Sequence, residues 1–234
     1  MSIYLTGDTH GDIDIRKLGF KRWPESRTLK KTDYLIILGD FGLVWGNIPS
    51  ATEKYWTRWL SERPFTTLFV CGNHENHPRL YALEQVAMFG SKVGKVSDSI
   101  FHLKRGHIYT IEDKKFFVMG GAQSIDKHLR IEGVSWWPEE VPSWAEMDLG
   151  LQNLQEHQYS VDFILAHTAP VSLAQTYLKS LGFNYMEEQV DPTSKYLEHV
   201  CQITTFEKYF CGHWHENRDF GRYQMLDEDI VRII

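Results

Sequence analysis

The sequence predicts an α/β fold built on two sheets, and three observations predict it. Apolar runs of strand length recur, each stopping at Asp, Asn or His; the early ones alternate with amphipathic stretches of helix length; and a hairpin-like pair of β-rich segments starts near residue 108. Ile3-Tyr4-Leu5-Thr6 is the first strand and runs into Gly7-Asp8-Thr9-His10-Gly11. Asp12 or Asp14 is placed to cap a short helix reaching toward Phe20. Leu35-Ile36-Ile37-Leu38 suits a strand covered on both faces and ends at Gly39-Asp40. Ser50 then caps a helix with Tyr55, Trp56, Trp59 and Leu60 on one face, closed before Pro64. Leu68-Phe69-Val70-Cys71 gives a third strand, ending at Gly72-Asn73-His74, and Pro78 fits the first turn of a helix with Leu80, Leu83 and Val86 on its apolar side. Strands alternating with helices imply βαβ units and a largely parallel sheet.

Residues 108–112 and 116–119, joined through Asp113-Lys114-Lys115, read as a hairpin that opens a second, more antiparallel sheet. The stretch from Gly120 to Glu140 is irregular and reads as a loop lying over a site. Helical spacing returns at Trp144, Met147, Leu151 and Leu154, ahead of a strand Phe163-Ile164-Leu165-Ala166 that ends at His167. A loop and a helix fill 170–204. Tyr209-Phe210-Cys211 then leads into Gly212-His213-Trp214-His215, and short strands at Phe220, 223–226 and 230–234 suggest a meander. No repeat of fixed period and no Pro/Gly/Ser-rich linker divides the chain, so residues 1–234 are expected to form a single domain.

Composition narrows the function. A hydrophobic share of 42%, with 8 Trp, 11 Tyr and 13 Phe, is enough for a large core. A formal net charge of -6 supplies no broad basic field for gripping a nucleic-acid backbone, so no stable nucleic-acid complex is expected. Cys71, Cys201 and Cys211 cannot all pair and form no C-x-x-C motif, which fits a reducing compartment. With no leader pattern and no apolar run near the ~20 residues of a membrane span, a cytoplasmic protein without membrane attachment is expected.

Five strands that each deliver a metal-competent side chain to their ends are hard to ascribe to packing, because buried carboxylates and imidazoles without a counter-charge are costly. A cation offsets that cost. Asp8, His10, Asp40, Asn73, His167, His213 and His215 offer more ligands than one tetrahedral zinc site uses, so two cations sharing a carboxylate is the natural solution, with Asp40 the best bridge. Such a pair, held about 3.5–4 Å apart, polarises a phosphoryl oxygen and supplies a hydroxide for in-line attack. The mixed nitrogen and oxygen donors fit Mn, the leading expectation, and also Fe, Zn or Ni.

In their order, Asp8-Thr9-His10, Gly39-Asp40, Gly72-Asn73-His74-Glu75, His167 and Gly212-His213-Trp214-His215 resemble the motifs of the calcineurin-like metallophosphoesterases. The resemblance implies a four-layer α-β-β-α sandwich of two stacked mixed sheets flanked by helices. It implies one metal on Asp8, His10, Asp40 and His215, and the other on Asp40, Asn73, His167 and His213. It also places His74 beside the metals, to protonate the leaving oxygen or steady the transition state; the alternative is that His74 only orients a ligand through a hydrogen bond. Glu75 reads either as an acceptor for a histidine or as a helix-start carboxylate.

The serine/threonine protein phosphatase branch of the family carries Asp-Arg-Gly after the second motif. Here Gly39-Asp40-Phe41-Gly42-Leu43-Val44-Trp45-Gly46 has neither the carboxylate nor the arginine. The expected reaction is therefore hydrolysis of a phosphodiester or a small phosphomonoester, of metabolite or nucleotide type, ahead of protein dephosphorylation. Arg130 is a candidate phosphate clamp, or else a loop arginine paired with Asp126 or Glu132; Trp136 and Trp137 either stack on a substrate ring or pack the loop down. Asn73 and Asp40 are expected to serve substrate and catalysis as well as metal. Two other classes rank lower: a silent scaffold, which would have lost ligands, and a nucleotide-binding module, for which Gly120-Gly121 is the only sign.

Overall fold

Three neighbouring parallel strands form the frame on which the N-terminal half is hung. The computed structural model describes residues 1–183 and 190–234; part of the stretch expected as loop and helix between 170 and 204 thus lies outside the described residues. In the first sheet β1 (Ile3–Thr6), β2 (Tyr34–Leu38) and β3 (Thr66–Val70) run parallel in adjacent positions. The helix α1 (Ala51–Ser61) makes the crossover between β2 and β3; the Ser50 hydroxyl caps it by accepting from the Glu53 amide at 3.0 Å. Its buried face is Trp56 and Leu60, while Tyr55, expected on the same face, is exposed.

The short helix α2 (His77–Tyr81) starts as Pro78 predicts but stops at Ala82; of the residues expected on its further turns, Leu83 lies in a bend and Val86 in a strand. There β4 (Glu84–Met88) and β5 (Ser91–Ser97) form a hairpin, and β6 (Ile100–Leu103) returns antiparallel to β5 and parallel to β3. Phe89 and Gly90, both at positive φ (56° and 80°), make a two-residue connection whose twist matches that of the strands it joins. Glu84, Gln85 and Ala87 are helix formers by propensity; pairing with β5 overrides them.

The hairpin β7 (Ile108–Ile111) and β8 (Lys114–Met119) opens the second sheet as expected, with a two-residue turn at Glu112–Asp113 in place of the three-residue connection 113–115. The helix α3 (Trp144–Glu156), capped by a reciprocal Ser143–Glu146 box, precedes β9 (Phe163–Ala166). Two helices follow, α4 (Val171–Ser180) and α5 (Pro192–Ile203), then β10 (Lys208–Cys211), β11 (Arg218–Asp219) and β12 (Tyr223–Met225). This sheet is not the more antiparallel one. Strands β8, β9, β10 and β12 are parallel neighbours, with antiparallel β7 and β11 at the edges.

Nor do the last strands form a meander, because β13 (Val231–Arg232) leaves the second sheet and pairs antiparallel with β1 in the first. The two mixed sheets stack face to face over a core that includes Leu5, Ile36, Leu68 and Val70 from one and Phe116, Val118, Leu165 and Phe210 from the other. Trp56, Leu60 and Leu80 cover the outer face of the first sheet; Leu154, Leu173, Leu197 and Val200 cover that of the second. The result is helices, sheet, sheet, helices, as the resemblance implied. Among the described residues no helix is long and apolar enough to cross a membrane.

Candidate metal centre

The parallel strands of both sheets point their C-terminal ends the same way, and the loops leaving those ends meet. Asp8 and His10 follow β1, Asp40 follows β2, Asn73 follows β3, His167 follows β9, and His213 and His215 follow β10. Glycine before a ligand makes room for another ligand. A Cβ on Gly39 would strike the His167 ring, one on Gly72 the Asp40 carboxylate, and one on Gly212 the Asp8 carboxylate. Four of the seven expected ligands are also held in the left-handed region that non-glycine residues avoid: His10 (φ 43°), Asp40 (45°), His213 (67°) and His215 (48°). Strain of this kind persists where the surroundings dictate it and clusters at functional sites.

The side chains converge. Donor atoms of Asp8, His10 and His215 lie within 4.8 Å of one another, as do those of Asp8, Asp40 and His167. Asp40 sends Oδ2 to 3.4 Å from His10 Nε2 and Oδ1 to 3.4 Å from His167 Nε2, so it sits between the two halves of the cluster. Its Oδ1 also accepts the His74 amide at 2.7 Å. His215 is the most exposed of the seven and stacks on His10 with ring centroids 5.1 Å apart. His213 packs edge-on against His167, and its amide donates to Asp8 Oδ1 at 3.0 Å.

The hydrogen bonds around the rings decide which nitrogen is left for a cation. His167 Nδ1 lies 2.9 Å from the Leu38 carbonyl, which can only accept, so Nδ1 carries a proton and, in the neutral ring, Nε2 presents a lone pair. That lone pair faces Asn73 Oδ1 at 3.0 Å, another acceptor. Two acceptors at that distance are repulsive unless a proton or a cation lies between them, and this donor set fits a divalent metal. His10 Nδ1 is likewise taken by Asp14 Oδ2 at 3.0 Å, leaving Nε2 toward Asp8 and Asp40. Asp14 thus orients His10, an expected ligand, instead of capping the 3-10 turn Ile15–Leu18, where it makes no side-chain cap.

The charges around the site are polarised to match. Burial would raise the Asp40 pKa, but His167, then His10 and His74, hold it well below the ordinary carboxylate range. Burial raises that of Asp8, and the Asp40 charge adds to this, against His167. His10 is pushed up to about 9: burial lowers it, and the carboxylates of Asp40, Asp8 and Asp14 outweigh burial. A cation entering this cluster replaces protons that the carboxylates already attract.

His74 stands at the edge of the cluster, its Nε2 3.9 Å from Asp40 Oδ2. Its Nδ1 faces Arg130 Nη1 at 3.1 Å. The loop from Gly120 to Glu140 therefore does reach the site. Arg130 is paired with Asp126, Nε and Nη2 each donating to one carboxylate oxygen at 2.8 Å, and Nη1 also reaches the Ser135 carbonyl at 3.2 Å. Its bidentate edge is thereby occupied. Glu75 fits neither reading made of it: fully buried, it accepts the Phe41 amide at 2.7 Å and pins the loop after Asp40.

Trp137 is buried and meets Trp45 edge-on with centroids 5.2 Å apart, whereas Trp45 lines a pocket of about 460 Å³ that opens beside His10 and His74. Sequence reasoning missed Asp14 as a ligand's partner, Trp45 as a pocket wall, and Ser124 and Glu140 behind Asn73. Only Asp14 left a readable signal, four residues after His10.

No curated protein matches this sequence. A family profile does: that of the calcineurin-like phosphoesterases covers residues 1–217, nearly the whole chain and all seven expected ligands. With that match and a stacked pair of mixed sheets bearing metal-competent loops, the chain belongs to the calcineurin-like phosphoesterases, a family of metal-dependent phosphoesterases.

Proposed function

We propose that the protein hydrolyses a phosphodiester or a small phosphomonoester with an uncharged leaving group, using two divalent cations held by Asp8, His10, Asp40, Asn73, His167, His213 and His215, with manganese the leading choice. The observation that carries this reading is the convergence of His167 Nε2 and Asn73 Oδ1, 3.0 Å apart, beside a carboxylate that reaches toward His10 as well. When bound, such a cation pair supplies Lewis acidity and brings the pKa of water toward about 7. The protein does the rest by position.

A guanidinium can only donate, so the contact of Arg130 Nη1 with His74 Nδ1 makes that nitrogen an acceptor and leaves the ring proton on Nε2, turned toward Asp40. Burial, and next to it the Arg130 charge, lower the His74 pKa against the pull of Asp40. His74 thus offers an N–H to a phosphoryl or leaving oxygen, steadying charge as it develops. Arg130 acts through His74 instead of clamping phosphate.

The pocket beside His10 and His74 supports the substrate class. Ile13, Leu43 and Trp45 give it apolar walls and Asp12 an acidic one; Glu53 also lines it, with both carboxylate oxygens held by Arg79 at 2.6 and 3.0 Å, and among the described residues no lysine or arginine lines it. A leaving group with further phosphates would meet the Asp12 carboxylate and no lysine or arginine in that lining, while a nucleoside or aryl alcohol could lie against Trp45.

The test is turnover of a chromogenic phosphodiester and the matching monoester by metal-stripped protein, with Mn, Zn, Ni or Mg restored singly. Metal-dependent release that Asp40→Asn abolishes is the expected result. Full activity after chelation, or in that variant, would end the proposal.

A further inference from the structure

Behind Asn73 lies a chain of buried hydrogen bonds that neither the family motifs nor the reaction accounts for. Glu140 accepts on both carboxylate oxygens from one residue: Oε1 from the Ser124 amide at 2.8 Å and Oε2 from the Ser124 hydroxyl at 2.6 Å. A hydroxyl has one proton. Having given it to Glu140, Ser124 Oγ can only accept, and the atom of Asn73 it meets at 3.1 Å must be the amide nitrogen. The other end of that amide, Oδ1, is then turned to His167 Nε2 and the cation site. All three residues are at most 5% exposed, so water is not free to satisfy the opposite orientation.

Glu140 is itself fixed from behind. Buried Arg105 donates Nη2 to the Glu140 carbonyl at 2.9 Å and Nη1 to the Glu139 carbonyl at 2.8 Å, holding the 3-10 turn Pro138–Glu140 in place. From this geometry we infer that Ser124 and Glu140 are positioning residues that fix which end of the Asn73 amide faces the metal. The inference rests on the reading of Asn73 as a ligand. Reversed, the amide would present two N–H donors to a cation and set Oδ1 against Ser124 Oγ, two acceptors in contact. Asparagine is a usable ligand here because the direction of the proton chain, from Asn73 through Ser124 to Glu140, leaves it only one orientation.

The direction of that chain can be inverted without changing its shape. In Glu140→Gln the oxygen stays with the Ser124 amide, the new NH₂ takes the place of Oε2 and donates to Ser124 Oγ, and the hydroxyl proton turns toward Asn73, which flips. In Ser124→Ala the amide loses its partner. In Ser124→Thr a hydroxyl is restored. The experiment is competition of each metal-stripped protein with a chromophoric chelator for zinc, with the Asn73 side-chain amide followed by ¹⁵N NMR in the zinc-loaded protein.

The parent should bind two equivalents. Glu140→Gln and Ser124→Ala should keep one at parental affinity and bind the other about 10–100-fold more weakly, with a displaced Asn73 amide signal, and Ser124→Thr should return toward the parent. If Ser124→Ala does not fold, the isosteric Glu140→Gln decides. Two equivalents at parental affinity in Glu140→Gln would overturn the inference while the metal centre stood. A parent that binds fewer than two equivalents would remove the metal pair, and the inference with it.

Discussion

Lys17 shows how much of the centre is held by residues that could hold no cation themselves. Its ammonium is buried and donates to the carbonyls of Gly7, Asp8 and Asp227 at 3.2, 2.7 and 2.6 Å, tying the end of β1 to the chain segment before β13. Burial lowers its pKa, and the charges of Asp8, Asp227 and Asp14 act against that. Lys17→Met keeps the volume and orphans three carbonyls, so a loss of about 3 kcal/mol is expected in urea unfolding at neutral pH; a loss below about 1 kcal/mol would mean that water replaces the ammonium. Gly72→Ala addresses the site directly. Its Cβ would collide with the Asp40 carboxylate, so zinc affinity should fall at least about 100-fold in a chelator competition, while far-UV circular dichroism stays parental. These roles differ in how far they can be read from sequence. Gly72 is visible because it precedes Asn73, an expected ligand, but Lys17 is one lysine among many until the fold places Asp227 against it.

Single elements were legible wherever pattern and propensity agreed. The strands ending at Asp8, Asp40, Asn73, His167 and His213, the helix capped by Ser50 and the helix spaced by Trp144, Met147, Leu151 and Leu154 follow from local signals alone. Strand β4 was not legible, since Glu84, Gln85 and Ala87 favour a helix and only pairing with β5 makes them extended. The β7–β8 turn shows the same tension. Glu112 and Asp113 sit at φ 50° and 59°, where Asn-Gly is preferred, so replacing the pair by Asn-Gly should stabilise the protein by about 1 kcal/mol in thermal unfolding. Strand β6 carries a pH dependence of its own. His102 is buried, stacked on Phe69 of β3 with centroids 5.2 Å apart, and its pKa is pulled down to about 3 by burial and by the charges of Arg105 and Lys104. The unfolded chain takes up this proton near 6.5 and the native one does not, so the contribution is complete above pH 6.5 and is lost as pH falls toward 3. Between pH 7 and 5 the parent should lose about 2 kcal/mol more than His102→Phe in urea titrations, and equal losses would show that His102 is not the group responsible.

At the scale of the whole molecule, the crossing of the last strand from one sheet to the other was invisible in the sequence, because three short apolar runs do not say which neighbour each will find. That crossing matters less than what the two sheets share. The expected ligands come from β1, β2 and β3 in one sheet and from β9 and β10 in the other, and no short stretch of unfolded chain could gather them. A cation bound there should therefore join the sheets and stabilise the native state by mass action. Manganese at 100 times its dissociation constant is worth about 2.7 kcal/mol, or roughly 5–10 °C in melting temperature for a chain of this size. Calorimetry of the metal-stripped protein with and without manganese measures that increment. Two variants separate it from ordinary packing. Phe116→Ala removes a ring from between the sheets and should cost about 3–5 kcal/mol with or without the metal. Asp40→Asn should lose the manganese increment, because Asp40 faces both His10 and His167. An increment that survived Asp40→Asn would locate the stabilising cation away from the strand ends, and the two sheets would then owe their union to the hydrophobic core alone.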